Sequence, residues 1–301
     1  MKVPSRLKAV FLASLVAFIW STSWILIKFG LGDVPALTFA GLRYSLAFVC
    51  LTPFLFQRAV RDQIRSFTRT EWMLVLLMGG VNYFISQGSQ FLSLSYLPAT
   101  TLSLILNLSS VLVAILASTL IHETPAWYQW LGVLLNLAGV IVFFHPAGLA
   151  SGSPLGYLFA IVCLAANTTG TLIGRKVNAN GRTNPFAVTI VSMGIGAALL
   201  LGSGLTWQGL PEISTRSMVI ICILAVINTA FTFVCWNYSL QTLPATESSI
   251  INNTMMIYIT ILAWIFLDEV QDVRGIIGLL LAFVGAVIVN LNFKRQKLPS
   301  G

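Results

Sequence analysis

Apolar runs of about twenty residues, the length an α-helix needs to cross a hydrocarbon core, recur along the chain with short polar breaks between them. They predict spans near residues 8–29, 35–56, 71–93, 98–120 and 126–144, and again near 154–175, 185–206, 217–239, 244–267 and 273–293. Barrel strands do not fit, because the runs are too long and too uniformly apolar, and lipid-facing backbone must satisfy its own hydrogen bonds. The longest break, about residues 57–70, is basic and leaves no room for a soluble catalytic domain.

The two sets of five spans share one register, 146 positions apart. Leu97-Pro98-Ala99-Thr100 recurs as Leu243-Pro244-Ala245-Thr246, Glu123 as Glu269, Gly132 as Gly278 and Gly139 as Gly285. Asn82 and Asn228, and Asn107 and Asn253, keep the same offset. An odd number of spans per copy turns the second upside down relative to the first, the arrangement secondary transporters use for alternating access. The expected fold is an all-α polytopic membrane protein of ten transmembrane helices, in two inverted five-helix repeats at residues 1–146 and 147–301. A solute carrier embedded in the lipid bilayer is the leading functional class.

Composition agrees: 57% hydrophobic and 9% charged residues with a mean hydropathy of +0.88 lie far outside soluble domains. Lys2, Arg6 and Lys8 before the first run mimic a signal peptide, but no small-residue cleavage site follows, and the run corresponds to the sixth span. With the N-terminus inside, Lys2, Arg6, Lys8, Arg58, Arg61, Arg65, Arg69, Arg175, Lys176, Arg182, Lys294, Arg295 and Lys297 are cytoplasmic, leaving Lys28, Arg216 and Arg274 outside. Thirteen against three sets the orientation, with both termini cytoplasmic. The net charge of +8 is thus a topology signal and no sign of nucleic acid.

Catalytic chemistry is absent. His122 and His145 are the only histidines, both at predicted span ends, and neither paired intramembrane carboxylates nor a phosphate-cradling loop occurs. Cys50, Cys163, Cys222 and Cys235 fall inside apolar spans without metal-ligand spacing. No enzyme activity, metal or cofactor is expected.

Polar groups inside a membrane are costly and face an interior or a water-filled space. Asn82, Tyr83, Ser86, Gln87 and Gln90 on the third span form a polar and aromatic stripe, and Asn228, Thr232 and Trp236 on the eighth form its counterpart. Trp20, Ser21 and Trp24 on the first span, Asn107 on the fourth, Asn167 and Thr168 on the sixth, and Asn252 and Asn253 on the ninth complete a pocket of aromatic walls and amides. The candidate substrate-binding set is Trp20, Trp24, Asn82, Tyr83, Ser86, Gln87, Asn107, Asn167, Asn228, Trp236 and Asn253. Such a lining suits a neutral or zwitterionic small molecule with an apolar or aromatic side chain. The competing reading is helix packing for each amide. For Trp127, Tyr128, Trp130 and Trp207, near span ends, an interfacial belt is the better reading.

Phe18-Ile19-Trp20-Ser21-Thr22-Ser23-Trp24, then Lys28, then Ala40-Gly41-Leu42-Arg43-Tyr44 resembles the opening of the EamA-type drug/metabolite transporter family, and the stretches Glu123 to Gly139 and Glu269 to Gly285 resemble its two repeat endings. The resemblance covers essentially the whole chain and is nearest to bacterial inner-membrane aromatic amino acid exporters. It implies a central cavity lined by spans one, three, four, six, eight and nine, with export by alternating access. A broad drug or nucleobase efflux carrier is the alternative within transport, and a ligand-binding receptor the alternative from another class.

Arg43 is the one basic residue well inside a predicted span, and it either binds a substrate carboxylate or holds helices together. The resemblance puts its helix outside the cavity set, which favours the structural role. Glu247, following Pro244, suits a helix N-terminus, and Glu123 and Glu269 are expected to anchor span ends. Without a mid-span acid, proton coupling and facilitated export both stay open. Gly132, Asn136 and Gly139, and Gly278, Ala282 and Gly285, form close-packing faces that read as scaffold, with a homodimer contact as the alternative.

Overall fold

The computed structural model describes residues 5–120, 126–145, 153–178, 184–240, 242–243 and 250–291. The expectations placed on Glu123, Pro244, Glu247 and on Lys2, Arg182, Lys294, Arg295 and Lys297 lie outside these.

Helices account for the described secondary structure, and no strand occurs among the described residues. In chain order they are α1 (Arg6–Gly30), α2 (Ala36–Leu51, continued by a 3₁₀ turn to Phe56), α3 (Arg58–Ser66), α4 (Arg69–Met78), α5 (Gly88–Tyr96), α6 (Ala99–Leu120) and α7 (Trp127–Phe144). The second half gives α8 (Pro154–Asn178), α9 (Pro185–Trp207), α10 (Thr215–Ala225), α11 (Thr232–Leu240), α12 (Ile250–Leu267, with a turn at Thr254) and α13 (Val273–Asn290).

Among the described residues, seven helices are long and apolar enough to cross a bilayer, and Ala99–Val113 and Thr215–Phe231 are shorter apolar helices. The predicted third span is divided, because a π-helical segment, Gly79–Gln87, stands between α4 and α5. A second π segment, Val226–Phe231, joins α10 to α11 in the matching register of the other repeat. The outer surface of the bundle is apolar: Leu7, Phe11, Leu134, Ile141, Ile161 and Ile265 are all exposed. Exposed Trp127 and Trp207 stand at the first position of α7 and the last of α9.

The ends follow local chemistry. Thr68 and Glu71 form a capping box at α4. Asn184 caps α9 with Pro185 at its first position, Ser214 caps α10, and Asp272 caps α13. Asp268 ends α12 in the left-handed region at φ 54°, a conformation Asp tolerates better than most residues.

Packing follows the sequence repeat. α7 packs along α13 and α2 along α9, each pair being the same span of the two halves. α1 packs on α11 and α12, and α8 correspondingly packs on the first π segment and α6. Glycines permit the two like-with-like contacts. A methyl group on Gly139 would stand 2.4 Å from Ala282 N, one on Gly285 2.4 Å from Asn136 N, and one on Gly41 2.5 Å from Leu201 Cα. The two small-residue faces therefore mate with each other inside the chain and are not available as a dimer surface. Asn136 sits in this joint, its Nδ2 donating to Ala282 O at 2.7 Å and Asn107 Oδ1 at 2.8 Å.

Gly285→Ala is expected to lower stability by about 1–3 kcal/mol, the usual cost of overpacking against atoms that cannot yield. Gly202→Ala, where nothing lies within 4 Å, is expected to be neutral. Thermal inactivation of the detergent-solubilised protein checks both, and an unchanged midpoint for Gly285→Ala would contradict the close helix approach.

Candidate functional site

Between the two halves lies a cavity of about 450 Å³, within the range of small-molecule sites. α1 contributes Trp20, Ser23 and Trp24, and α2 contributes Arg43 and Tyr44. The first π segment supplies Asn82 and Gln87, and the second supplies Asn228 and Thr229. α6 presents Ser103, Asn107 and Ser110 on one face, α8 presents Asn167, and α12 presents Asn252, Asn253 and Ile259.

The π geometry decides which side chains point inward. A π turn closes at i→i+5 instead of i→i+4, so residues five apart share a face. In the first repeat these are Asn82 and Gln87, which both line the cavity with Gln90 beyond them, and in the second repeat Asn228 and Thr229 of the π segment and Phe233 of α11 line it. The stripes expected from α-helical spacing are corrected accordingly. Tyr83 turns away and packs its ring on Tyr44 at 5.8 Å. Ser86 is fully buried, its carbonyl accepting from Cys163 Sγ at 3.2 Å. Trp236 stands behind the wall, its ring 5.3 Å from that of Trp20. The other eight candidates, Trp20, Trp24, Asn82, Gln87, Asn107, Asn167, Asn228 and Asn253, share the cavity.

The walls are held by hydrogen bonds to side chains outside the cavity or on neighbouring helices. Trp20 Nε1 donates to Thr232 Oγ1 at 2.8 Å, and its ring leans on Phe233 at 5.9 Å. Asn228 Nδ2 donates to Ile19 O at 2.6 Å and to Thr22 Oγ1 at 2.9 Å, tying α1 to the second π segment. Tyr44 donates through its hydroxyl to Gln87 Oε1 at 2.7 Å, and Ser109 donates to Asn167 Oδ1 at 3.2 Å. Ser23 Oγ and Asn253 Nδ2 are buried and have no hydrogen-bond partner among the described residues, although both residues belong to the lining.

Arg43 is a second correction. It lines the cavity, where the family pattern had placed its helix outside. Its Nε donates to Thr229 Oγ1 at 3.2 Å, so it also joins α2 to the second π segment. Two hydroxyls on α6 were missed: Ser103 and Ser110 fall at i and i+7 around the expected Asn107 at i+4, one face of a helix.

One face of the bundle, where α1 ends and α13 begins, carries ties between the repeats. Gln208 Oε1 accepts from Leu37 N at 2.8 Å, and Thr38 Oγ1 donates to Gly209 O at 2.9 Å. Glu269 caps α6, accepting from Ala99 N at 2.8 Å, from Thr100 N at 3.0 Å and from Thr100 Oγ1 at 3.0 Å. It anchors a span end as expected, but the end belongs to the other repeat. The cavity reaches toward the opposite face, since its lining includes Asn290, the last residue of α13.

Asp33 on this tied face accepts from the hydroxyls of Ser214 and Ser217. Those two hydrogen bonds, helped by the charge of Arg216, hold its carboxyl below the usual 3.8. The sign follows from the depressed value: the tie is fully present above pH 3.8 and is lost only as pH falls through the lower folded value. The stability difference between wild type and Asp33→Asn is expected to stay flat from neutral pH down to that point and then shrink. A difference already collapsing well above 3.8 would show that the carboxylate is not held this way.

An all-helical membrane chain folded around a polar cavity, with paired halves, belongs to the class of solute transporters. The sequence pattern of the EamA-like transporter family matches residues 7–145 and again 154–291, and the chain belongs to that family. The chain is similar to the uncharacterized transporter YoaV of Bacillus subtilis (strain 168), with 23% identity over 292 residues, covering 94% of this chain and 97% of that one. It is 24% identical over 278 residues to an S-adenosylmethionine/S-adenosylhomocysteine transporter of Chlamydia trachomatis serovar L2, covering 87% and 82% of the two chains. A solved crystal structure superposes with a TM-score of 0.69 at 18% identity, covering 95% of this chain and 98% of its own, a likeness of fold alone.

Proposed function

We propose that this multi-pass membrane transporter is a ten-helix carrier of the bacterial inner membrane, built from two inverted repeats with both termini cytoplasmic. It exports aromatic or other small neutral amino acids and related metabolites by alternating access. The observation that carries this reading is the cavity lining: indole and phenol walls beside neutral amides and hydroxyls, with one cation and no carboxylate among the described residues. Aromatic walls suit an apolar or aromatic side chain, and amide and hydroxyl groups suit the polar end of an amino acid.

The substrate named for the Chlamydia relative fits the same chemistry, since S-adenosylmethionine is itself an amino acid carrying an aromatic base. It is therefore a competitor to include. The test is counterflow of labelled phenylalanine into proteoliposomes preloaded with unlabelled phenylalanine, tryptophan or S-adenosylmethionine. The expected result is accumulation driven by at least one of these amino acids. Counterflow driven only by a cationic drug or a nucleobase would replace the reading with a broad efflux carrier, and ligand binding without any flux would replace it with a receptor.

A further inference from the structure

We propose that Arg43 is the anion subsite of this cavity, so that the transported molecule must carry a carboxylate. The proposal deepens the amino acid reading above and rests on it for direction of use, but the subsite stands on its own observations.

The first is a cation with no counter-charge among the described residues. Arg43 sits mid-way along α2 and is only 5% exposed. Of the nine acidic residues of the chain, Glu123 and Glu247 lie outside the described residues, and none of the other seven lines the cavity. A buried charge that is not paired is expensive, in a membrane interior above all. Among the described residues its contacts are one hydrogen bond to Thr229 Oγ1 and the faces of Tyr44 and Phe91, with the guanidinium carbon 5.3 Å and 5.9 Å from the ring centres. A guanidinium has five N–H donors in a planar fork. The bond to Thr229 uses Nε, which leaves the two terminal nitrogens, the pair that grips a carboxylate side-on, without a protein acceptor.

The second observation is independent. Ser23 and Asn253, also of the lining, hold buried polar atoms with no hydrogen-bond partner among the described residues. Buried polar groups are almost always paired, so orphans at a cavity point to a partner that comes and goes. Asn253 Nδ2 donates, so it adds to the demand for an acceptor that Arg43 already makes.

The fork is also placed to hold an orientation. Thr229 pins its Nε side from the second repeat while Tyr44, itself fixed by Gln87, packs against the cation from the first. Both repeats therefore position one donor set, and a bound carboxylate would bear on their relative arrangement. An ammonium group of the same molecule meets amide and hydroxyl oxygens, because no carboxylate lines the cavity among the described residues. Carboxylates and zwitterions are admitted, and simple amines, cationic drugs and neutral bases are disfavoured.

The test uses matched probes on the purified full chain in nanodiscs, read by titration calorimetry. The pairs are phenylalanine against phenylalaninamide, and S-adenosylmethionine against its decarboxylated form. Wild type is expected to bind the carboxylate member of at least one pair ~10-fold or more tightly, as a charge-assisted bidentate contact implies. Arg43→Gln is expected to lose that ratio, and Arg43→Lys to keep part of it. A merely structural arginine would change overall binding without changing the ratio. Should Arg43→Gln not fold, the wild-type ratio and the lysine variant decide. Equal binding within both pairs, or none, overturns the subsite, as does a ratio unchanged in the variants. Carboxylate-dependent binding without flux would instead sink the transport reading and keep the subsite.

Discussion

Oxidising a pair of cysteines placed at Thr100 and Glu269 is expected to stop transport, and reduction is expected to restore it. Thr100 opens α6 in the first repeat and Glu269 precedes α13 in the second, and their side chains already touch at 3.0 Å. The carboxylate satisfies two backbone N–H groups at the start of α6, where an unpaired helix end is otherwise costly. Hydrogen bonds to a charged group are worth about 1.5–3 kcal/mol each and can be made and broken within a transport cycle. A disulfide cannot. If this face must part for the cavity to open there, the oxidised pair should leave no measurable counterflow while each single cysteine retains it. Unimpaired counterflow with the bond formed would show that the face does not move.

The second large effect is expected at Trp20. Its indole forms one wall of the cavity and is held by Thr232 and by the rings behind it. An aromatic pair is worth about 0.5–1.5 kcal/mol beyond the area it buries, and each 1.36 kcal/mol is a factor of ten. Trp20→Ala is therefore expected to weaken handling of phenylalanine and tryptophan by roughly ten-fold, seen as a raised KM. Trp20→Phe keeps the wall and gives up the bond to Thr232, so its loss should be smaller. Trp207→Ala, at the exposed end of α9, should spare transport. Wild-type KM in a correctly inserted Trp20→Ala protein would mean that the wall does not touch substrate.

Much of the architecture was legible in the chain. The shared register of Asn82 with Asn228 and of Gly139 with Gly285 announced two like halves, and the small residues at 132, 139, 278 and 285 announced close-packing faces without saying that the two mate with each other. The aromatic and amide character of the cavity was legible too, because polar side chains in a long apolar run have few places to go. What escaped was the set of faces within spans three and eight. Spacing by 3.6 residues put Tyr83, Ser86 and Trp236 inward along with Asn82, Gln87 and Asn228, whereas only the last three line the cavity, joined by Thr229 and Phe233, which the sequence did not single out. Nothing in the composition of Gly79–Gln87 marks it as π-helical.

Arg43 and Glu269 escaped for a different reason. Their partners are far away in sequence, Thr229 at a separation of 186 residues and Ala99 at 170. A lone buried charge signals that a partner exists, but only the packing of α2 against the second π segment, and of the α12–α13 turn against α6, says which one. The same long-range contacts bring the two repeats together around the cavity, so the residues hardest to read locally are those nearest the proposed mechanism.

The central claim is that one cavity is reached from either side of the membrane in turn. A single cysteine at Ser110, a lining position on α6, reports on it directly, with Cys50, Cys222 and Cys235 replaced by serine and the buried Cys163 retained. A membrane-impermeant thiol reagent is applied to right-side-out and to inside-out vesicles, with and without substrate. Labelling is expected from both sides, slowed by phenylalanine in each, and confined to one side once a Thr100–Glu269 cysteine pair is oxidised. Labelling from one side only in the unlocked protein, or labelling from both sides that substrate and the disulfide leave unchanged, would contradict alternating access to this cavity.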